Sequence, residues 1–244
     1  VTHQPPPLDG DRSYLVLLSG GLDSTVLTTD LLVSGATVQA VSIHYGQRHE
    51  RELIAAAAVA AHLQVPYSPI ELLALGSHLT SSLTGAAPVP HGHYADANMS
   101  STVVPNRNAI MLMVAAGIAA ARGLDAVVTA VHAGDHPVYP DCRPEFVAAA
   151  NTAALLGTGG QVEIHAPYAR ITKEQIVQRG ARVVAPFALT WSCYQGGDTH
   201  CGRCGTCVER AEAFAAAGVQ DPTTYLDPDF WRTATERQAA EVTS

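Results

Sequence analysis

The sequence predicts an α/β protein organised around a doubly wound parallel sheet, with a small cysteine-bearing region toward its C-terminal end. Three observations carry that expectation. Short apolar or β-branched runs alternate with stretches of helical apolar spacing along most of the chain. A glycine-rich turn follows directly on the first run, where such sheets place their ligands. Four of the five cysteines crowd between Cys193 and Cys207.

Residues 14–18 are continuously apolar, as a strand buried on both faces would be. Residues 25–34 show helical spacing and stop at Gly35, a good helix-ending residue. A β-branched run over 37–43, an Ala-rich helix over 51–63 and a strand over 65–70 complete a βαβαβ alternation. Residues 75–101 break the rhythm with Gly, Pro, Ser and three His, and predict a mobile loop or lid. An apolar helix over 109–122 leads to a strand over 126–131. Then come a helix over 145–155, a strand over 162–164 and a helix over 172–179 with Thr172 near its cap. From Ala188 the chain is loop-rich, closed by a helix over 208–217. The expected organisation is a flexible lead over 1–12, a nucleotide-binding α/β domain over 13–187 and a zinc-binding helical and loop tail over 188–244.

The 244 residues and 25.5 kDa leave room for one large domain with an appendage. Hydrophobic residues make up 47%, which excludes a disordered tail protein, and only 6% are aromatic, so the core must come from Ala, Val, Leu and Ile. A net charge of −8 argues against a general nucleic-acid binder, whose phosphate affinity needs clustered Lys and Arg. Lys173 is the only lysine, which excludes the P-loop signature with its lysine inside the glycine loop. The apolar stretch over 109–121 is too short to span a bilayer, and the lead carries Pro5 to Pro7 but no apolar run of a signal peptide. The expectation is a reduced, cytoplasmic protein without a membrane partner.

Ser19-Gly20-Gly21-Leu22-Asp23-Ser24 predicts a phosphate site. The glycines let backbone approach an anion, and the helix that follows aims free N–H groups and its positive end at it. Ser19, Ser24 and Thr25 add hydroxyl donors. Asp23 beside phosphates is repulsive unless it holds a divalent cation or caps backbone donors. Cys193, Cys201, Cys204 and Cys207 can close a tetrahedral thiolate shell, for which zinc is the default ion and an iron–sulfur cluster the rival. Such a closed site stabilises the tail and leaves catalysis to other residues. A third stretch holds Asp135, Tyr139, Asp141 and Arg143, two carboxylates, a ring and a guanidinium suited to a flat hydrogen-bonding bicycle. Its alternative is an ordinary loop whose acids cap a helix. Cys142 is expected to be a small buried residue.

The hexapeptide resembles the pyrophosphate loop of the PP-loop ATP pyrophosphatases, enzymes with an adenine nucleotide alpha hydrolase-like fold that adenylate a substrate oxygen and release pyrophosphate. Together with His44-Tyr45-Gly46-Gln47-Arg48-His49, Val104 to Asn108, Asp135 with Tyr139 to Phe146, Thr190 to Tyr194 and Cys201 to Arg210, it resembles the 7-cyano-7-deazaguanine synthase (preQ0 synthase) family of the queuosine pathway. Val138 departs from that pattern, which has a small residue before the tyrosine. The resemblance implies that 7-carboxy-7-deazaguanine attacks the α-phosphorus of ATP, that ammonia displaces AMP to give the amide, and that a second adenylation of the amide oxygen leaves the nitrile.

On that resemblance, Ser19, Gly20, Gly21, Leu22, Asp23, Ser24, Thr25 and His44 are expected at ATP and Mg²⁺. Asp23, Arg107 and Lys173 are expected to act on its phosphates, and Asp135, Tyr139, Asp141 and Arg143 to hold the base. Zinc is expected as a structural ion on the four cysteines, and a homodimer as the assembly. The alternatives are an enzyme of this fold that stops at the amide, one that adenylates another substrate such as tRNA, and a nucleotide-binding module without turnover.

Overall fold

The computed structural model describes residues 8–242, so the proline run at 5–7 and most of the expected flexible lead lie outside the described residues. The described end of that lead is tied to the sheet edge. Leu8 packs on the core, and Arg12 pairs with Glu163 at 2.7 Å.

Five parallel strands form one sheet: β1 (Ser13–Leu17), β2 (Thr37–His44), β3 (Tyr67–Glu71), β4 (Ala126–Val128) and β5 (Glu163–His165). Their order is β3-β2-β1-β4-β5, so the chain reverses its direction of progress between β1 and β4. The register pairs Val16 with Ala40 on one side and with Val128 on the other. At such a reversal the loops leaving two neighbouring strands diverge and open a crevice for ligand.

Adjacent residues of β1 serve opposite layers. Val16 joins a core with α1 (Leu22–Val33), α2 (Arg51–His62) and α5 (Lys173–Arg182), including Leu27, Val59 and Ile176. Leu15 joins a core with α3 (Arg107–Ala121) and α4 (Pro144–Gly157), including Leu112 and Ala150. Both cores are built from small and branched aliphatics, as the low aromatic content requires. Thr172 accepts from the Gln175 N–H while Gln175 accepts from the Thr172 N–H, a capping box that starts α5 at Lys173.

Three regions differ from expectation. The predicted lid is packed structure. Leu83, Val89, Tyr94 and Met99 are buried, two short 3₁₀ turns interrupt the segment, and His91 bridges to Cys204. Its apolar residues bury singly, so no period betrays them. The strand β4 is three residues long, not six, because the chain leaves the sheet after Val128 and Thr129 to Val131 line the crevice. After α6 (Gly205–Ala217), a further helix α7 (Phe230–Val242) closes the described chain, where the sequence shows little apolar spacing.

Candidate active site

A cavity of about 230 Å³ opens at the carboxyl ends of β1, β2 and β4, at the reversal point. One end is the glycine turn. Gly20 adopts φ +82°, and a Cβ there would stand 2.2 Å from the Glu52 carbonyl oxygen, so only glycine allows α2 to lie against the turn. The hydroxyls of Ser19 and Ser24 are 3.0 Å apart, and the Ser24 hydroxyl accepts from the Ser19 N–H. Ser19, Gly21, Leu22, Asp23 and Ser24 line the cavity. Gly20 instead supports α2, and the Thr25 hydroxyl is engaged with the Gly21 carbonyl at 2.8 Å.

Beside the turn, and including its Asp23, stands a charged cluster drawn from four elements. Lys173 Nζ, at the start of α5, lies 3.0 Å from Asp23 Oδ2 and 2.8 Å from Glu209 Oε2 on α6. His132, just after β4, places Nε2 3.6 Å from both Asp135 and Glu209. His132 Nδ1 accepts from the Gly134 N–H at 3.0 Å, and its Nε2 also lies 3.5 Å from Lys173 Nζ. Burial pushes the Asp23 carboxyl up, but Lys173 and His132 outweigh it and its pKa falls below the ordinary value. Burial also opposes the charge on Lys173, yet Asp23 and Glu209 raise its pKa far above the lysine norm. Both groups therefore stay ionised across neutral pH.

Three carboxylates around one lysine leave this end acidic. Asp23 Oδ1 is buried and has no hydrogen-bond partner among the described residues. An unsatisfied buried carboxylate oxygen is costly, and a hard divalent cation would satisfy it. The residues fit Mg²⁺.

Part of the lining is aromatic. Arg107 at the start of α3 donates to the Tyr45 hydroxyl at 3.3 Å and lies over its ring at 5.8 Å. Tyr94, Tyr139 and Trp191 wall the space. Glu52 also lines it. Burial raises the pKa of this carboxyl against the field of Arg107, and among the described residues it has neither an ion-pair nor a hydrogen-bond partner.

Of the expected base-binding residues, Asp135 and Tyr139 line the cavity and Asp141 and Arg143 do not. Asp141 Oδ2 accepts from the Asn108 N–H at 2.9 Å, and Arg143 donates to the His136 carbonyl at 3.1 Å. Both stabilise the turn leading into α4. Asp135 is also largely engaged, accepting from the Tyr94 hydroxyl and the His132 N–H, each at 2.9 Å. Val138 takes no positive φ and packs on the α3–α4 core, so the turn accepts its side chain. His44 lies on β2 in register with Glu71 and does not line the cavity. Cys142 is buried, its thiol pushed well up by desolvation and neighbouring carboxylates, which makes it a poor nucleophile.

The sequence reading missed Glu52, His132 and Glu209. Glu209 carried a visible signal, a carboxylate between Val208 and Arg210 on the predicted closing helix, at a position the packing buries.

The four cysteine sulfurs lie within 4.8 Å of one another. Backbone N–H groups of Cys201, Arg203 and Cys204 donate to Cys193 Sγ or Cys201 Sγ at 3.3 Å, the arrangement that steadies thiolates. Gly202, at φ +76°, makes the tight turn between ligands against the Asp227 carbonyl. Sulfurs this close could together hold a single metal ion in a tetrahedral thiolate shell. His200 is outside the set, since its Nε2 accepts from the Ser192 N–H and its ring stacks on Trp191.

A family model described as "Queuosine biosynthesis protein QueC" matches residues 13–218. The chain is 53% identical over 230 residues to a "7-cyano-7-deazaguanine synthase" of Rhizobium rhizogenes, covering 93% of this chain and 98% of the relative. It is 54% identical over 230 residues to the protein so named from Rhizobium meliloti, with the same coverage, and 53% identical over 225 residues to that of Ruegeria pomeroyi, covering 91% and 98%. Among solved structures, NMN synthetase from Francisella tularensis superposes with a TM-score of 0.50 at 15% identity, over 93% of this chain and 86% of that one, a likeness of fold.

Proposed function

The chain belongs to the queuosine biosynthesis protein QueC family, and from that premise we propose that it is an ATP-dependent carbon–nitrogen ligase. It converts 7-carboxy-7-deazaguanine and ammonia to 7-cyano-7-deazaguanine (preQ0). The observation that carries this reading is a single cavity lined both by the glycine turn and by Arg107 with Tyr45, Tyr94 and Tyr139.

The base carboxylate attacks the α-phosphorus of ATP, a P–O bond breaks and pyrophosphate leaves. Ammonia adds to the acyl adenylate, AMP departs with one carboxylate oxygen, and a proton is lost. The amide oxygen then attacks the α-phosphorus of a second ATP, pyrophosphate leaves, and loss of AMP and both N–H protons leaves the C≡N bond. No general base is required for the first attack, because the nucleophile is already an anion. Catalysis by this chain is positioning and charge stabilisation. Ser19, Gly21 and Ser24 hold the departing pyrophosphate, and Lys173 and Arg107 offset its charge. Asp23, whose Oδ1 has no partner among the described residues, would hold Mg²⁺, which would supply charge screening of the phosphates. Tyr139 and Tyr94 stack against the base, and Glu52, the free carboxylate, accepts from the adjacent N–H donors of the guanine-type ring.

Cys193, Cys201, Cys204 and Cys207 hold zinc as a structural ion, since four thiolates leave no open coordination position. A homodimer is the assembly the resemblance implies, readable from the solution mass. The mechanism is tested with base labelled by ¹⁸O in both carboxylate oxygens. Each AMP is expected to carry one label and the nitrile none. Unlabelled AMP, or ADP as the nucleotide product, contradicts it.

A further inference from the structure

The helix that carries Glu209, a carboxylate partner of Lys173, is the same helix that begins in the thiolate centre. Cys204 is its N-cap residue, Cys207 lies in its first turn, and Glu209 follows two residues later. Glu209 then crosses to α5 and meets Lys173 Nζ at 2.8 Å. Lys173 has a second carboxylate partner, Asp23 of the glycine turn, at 3.0 Å. The lysine is thus gripped from two sides, by the turn that would hold pyrophosphate and by the helix rooted in the thiolates.

We infer that Glu209 is a positioning residue through which the thiolate-bound ion sets the place of Lys173. The link is rigid at both ends. Beside Glu209, the Arg210 side chain is fully buried and bonds to Asp221, Thr190, Ser192 and the Phe187 carbonyl, which fixes the rotation of α6. Ahead of it, the first turn of α6 contributes two of the four sulfurs. With the ion bound, α6 presents Glu209 to Lys173. Without it, the first turn loses its anchor and the ammonium keeps Asp23 as its carboxylate partner, with His132 Nε2 at 3.5 Å. Glu209 itself touches no reacting atom in this account, and its effect on ATP passes through Lys173. The inference rests on the metal reading above, but its test does not depend on which base is the substrate.

Lys173 is the only lysine in the chain, so an amine-directed reagent reports on it directly once the α-amino group is accounted for by peptide mapping. The experiment is timed reductive methylation with formaldehyde and borohydride, read by mass spectrometry at Lys173. It compares the wild-type chain, Glu209→Gln and Glu209→Asp, each zinc-loaded and each after chelation. Circular dichroism follows folding, and metal content is measured on every sample. Losing one charge-assisted partner is expected to speed labelling of zinc-loaded Glu209→Gln on the order of tenfold. Glu209→Asp should fall between it and wild type. Chelation should speed labelling of wild type to a similar degree and add little in Glu209→Gln. In turnover assays, Glu209→Gln should raise KM for ATP more than it lowers kcat. Wild-type labelling rates in zinc-loaded Glu209→Gln would overturn the inference outright. An equal further acceleration on chelation of that variant would show that the ion acts on Lys173 by another route and would overturn it too. Should chelation unfold the chain, the zinc-loaded variants decide alone.

Discussion

Asp141 accepts a hydrogen bond from the backbone N–H of Asn108 at 2.9 Å, and so caps the helix whose first residue is Arg107. The Asn108 side chain returns the contact, donating to the Asp141 carbonyl at 3.0 Å. This pair fastens the turn after β4 to the start of α3. Removing the carboxylate leaves a helix N–H without its acceptor. Asp141→Ala is expected to lose about 1–2 kcal/mol of stability. Its thermal midpoint should fall while activity well below that midpoint changes far less than in variants of the cavity. A variant of unchanged stability and poor base affinity would return Asp141 to the binding site.

Lys173→Met removes the cation between the glycine turn and α6 and leaves Asp23 and Glu209 facing each other. Loss of one preorganised charge of this kind costs roughly 10²–10³ in rate. The expected outcome is a fall of that order in kcat/KM for ATP, with a smaller change in KM for the base. Steady-state AMP release measures it.

Glu52 lines the cavity without a partner, and its carboxylate matches the paired donors of a guanine-type edge. Glu52→Gln replaces one acceptor with a donor. A charge-assisted pair of bonds implies a rise in KM for the base of roughly 10- to 100-fold. Titration of each substrate in turn checks this. A rise in KM for ATP alone would place Glu52 at the nucleotide.

His93 Nε2 lies 3.0 Å from Glu212 Oε2, and that hydrogen bond outweighs burial to raise the imidazole pKa above 6.5. A raised folded-state pKa means the pair contributes fully below the unfolded value and fades as pH rises through the folded one. The stability lost in His93→Gln should therefore be larger at about pH 6 than at about pH 9. Denaturant unfolding of both metal-loaded proteins at the two pH values measures the difference. A loss that grows with pH would contradict the assignment.

Much of this was legible because it is local in sequence. The buried run before Ser19, the glycine turn and the helix after it lie within one βα unit, so their chemistry reads off consecutive residues. The cysteines are legible for the same reason. Glu52, His132 and Glu209 come from α2, the end of β4 and α6, and only the sheet order brings their elements to one cavity. Asp141 misled because a carboxylate beside a helix start can face a ligand or a distant N–H, and residue type does not distinguish the two. The segment over 75–101 misled because Leu83, Val89 and Met99 are buried without a period.

The central claim is best tested by supplying 7-carboxy-7-deazaguanine, ATP, Mg²⁺ and ammonium and weighing the base while counting AMP. The expected result is 7-cyano-7-deazaguanine with two AMP for each nitrile formed. The amide as the final product, or base-independent nucleotide turnover without AMP, would contradict it.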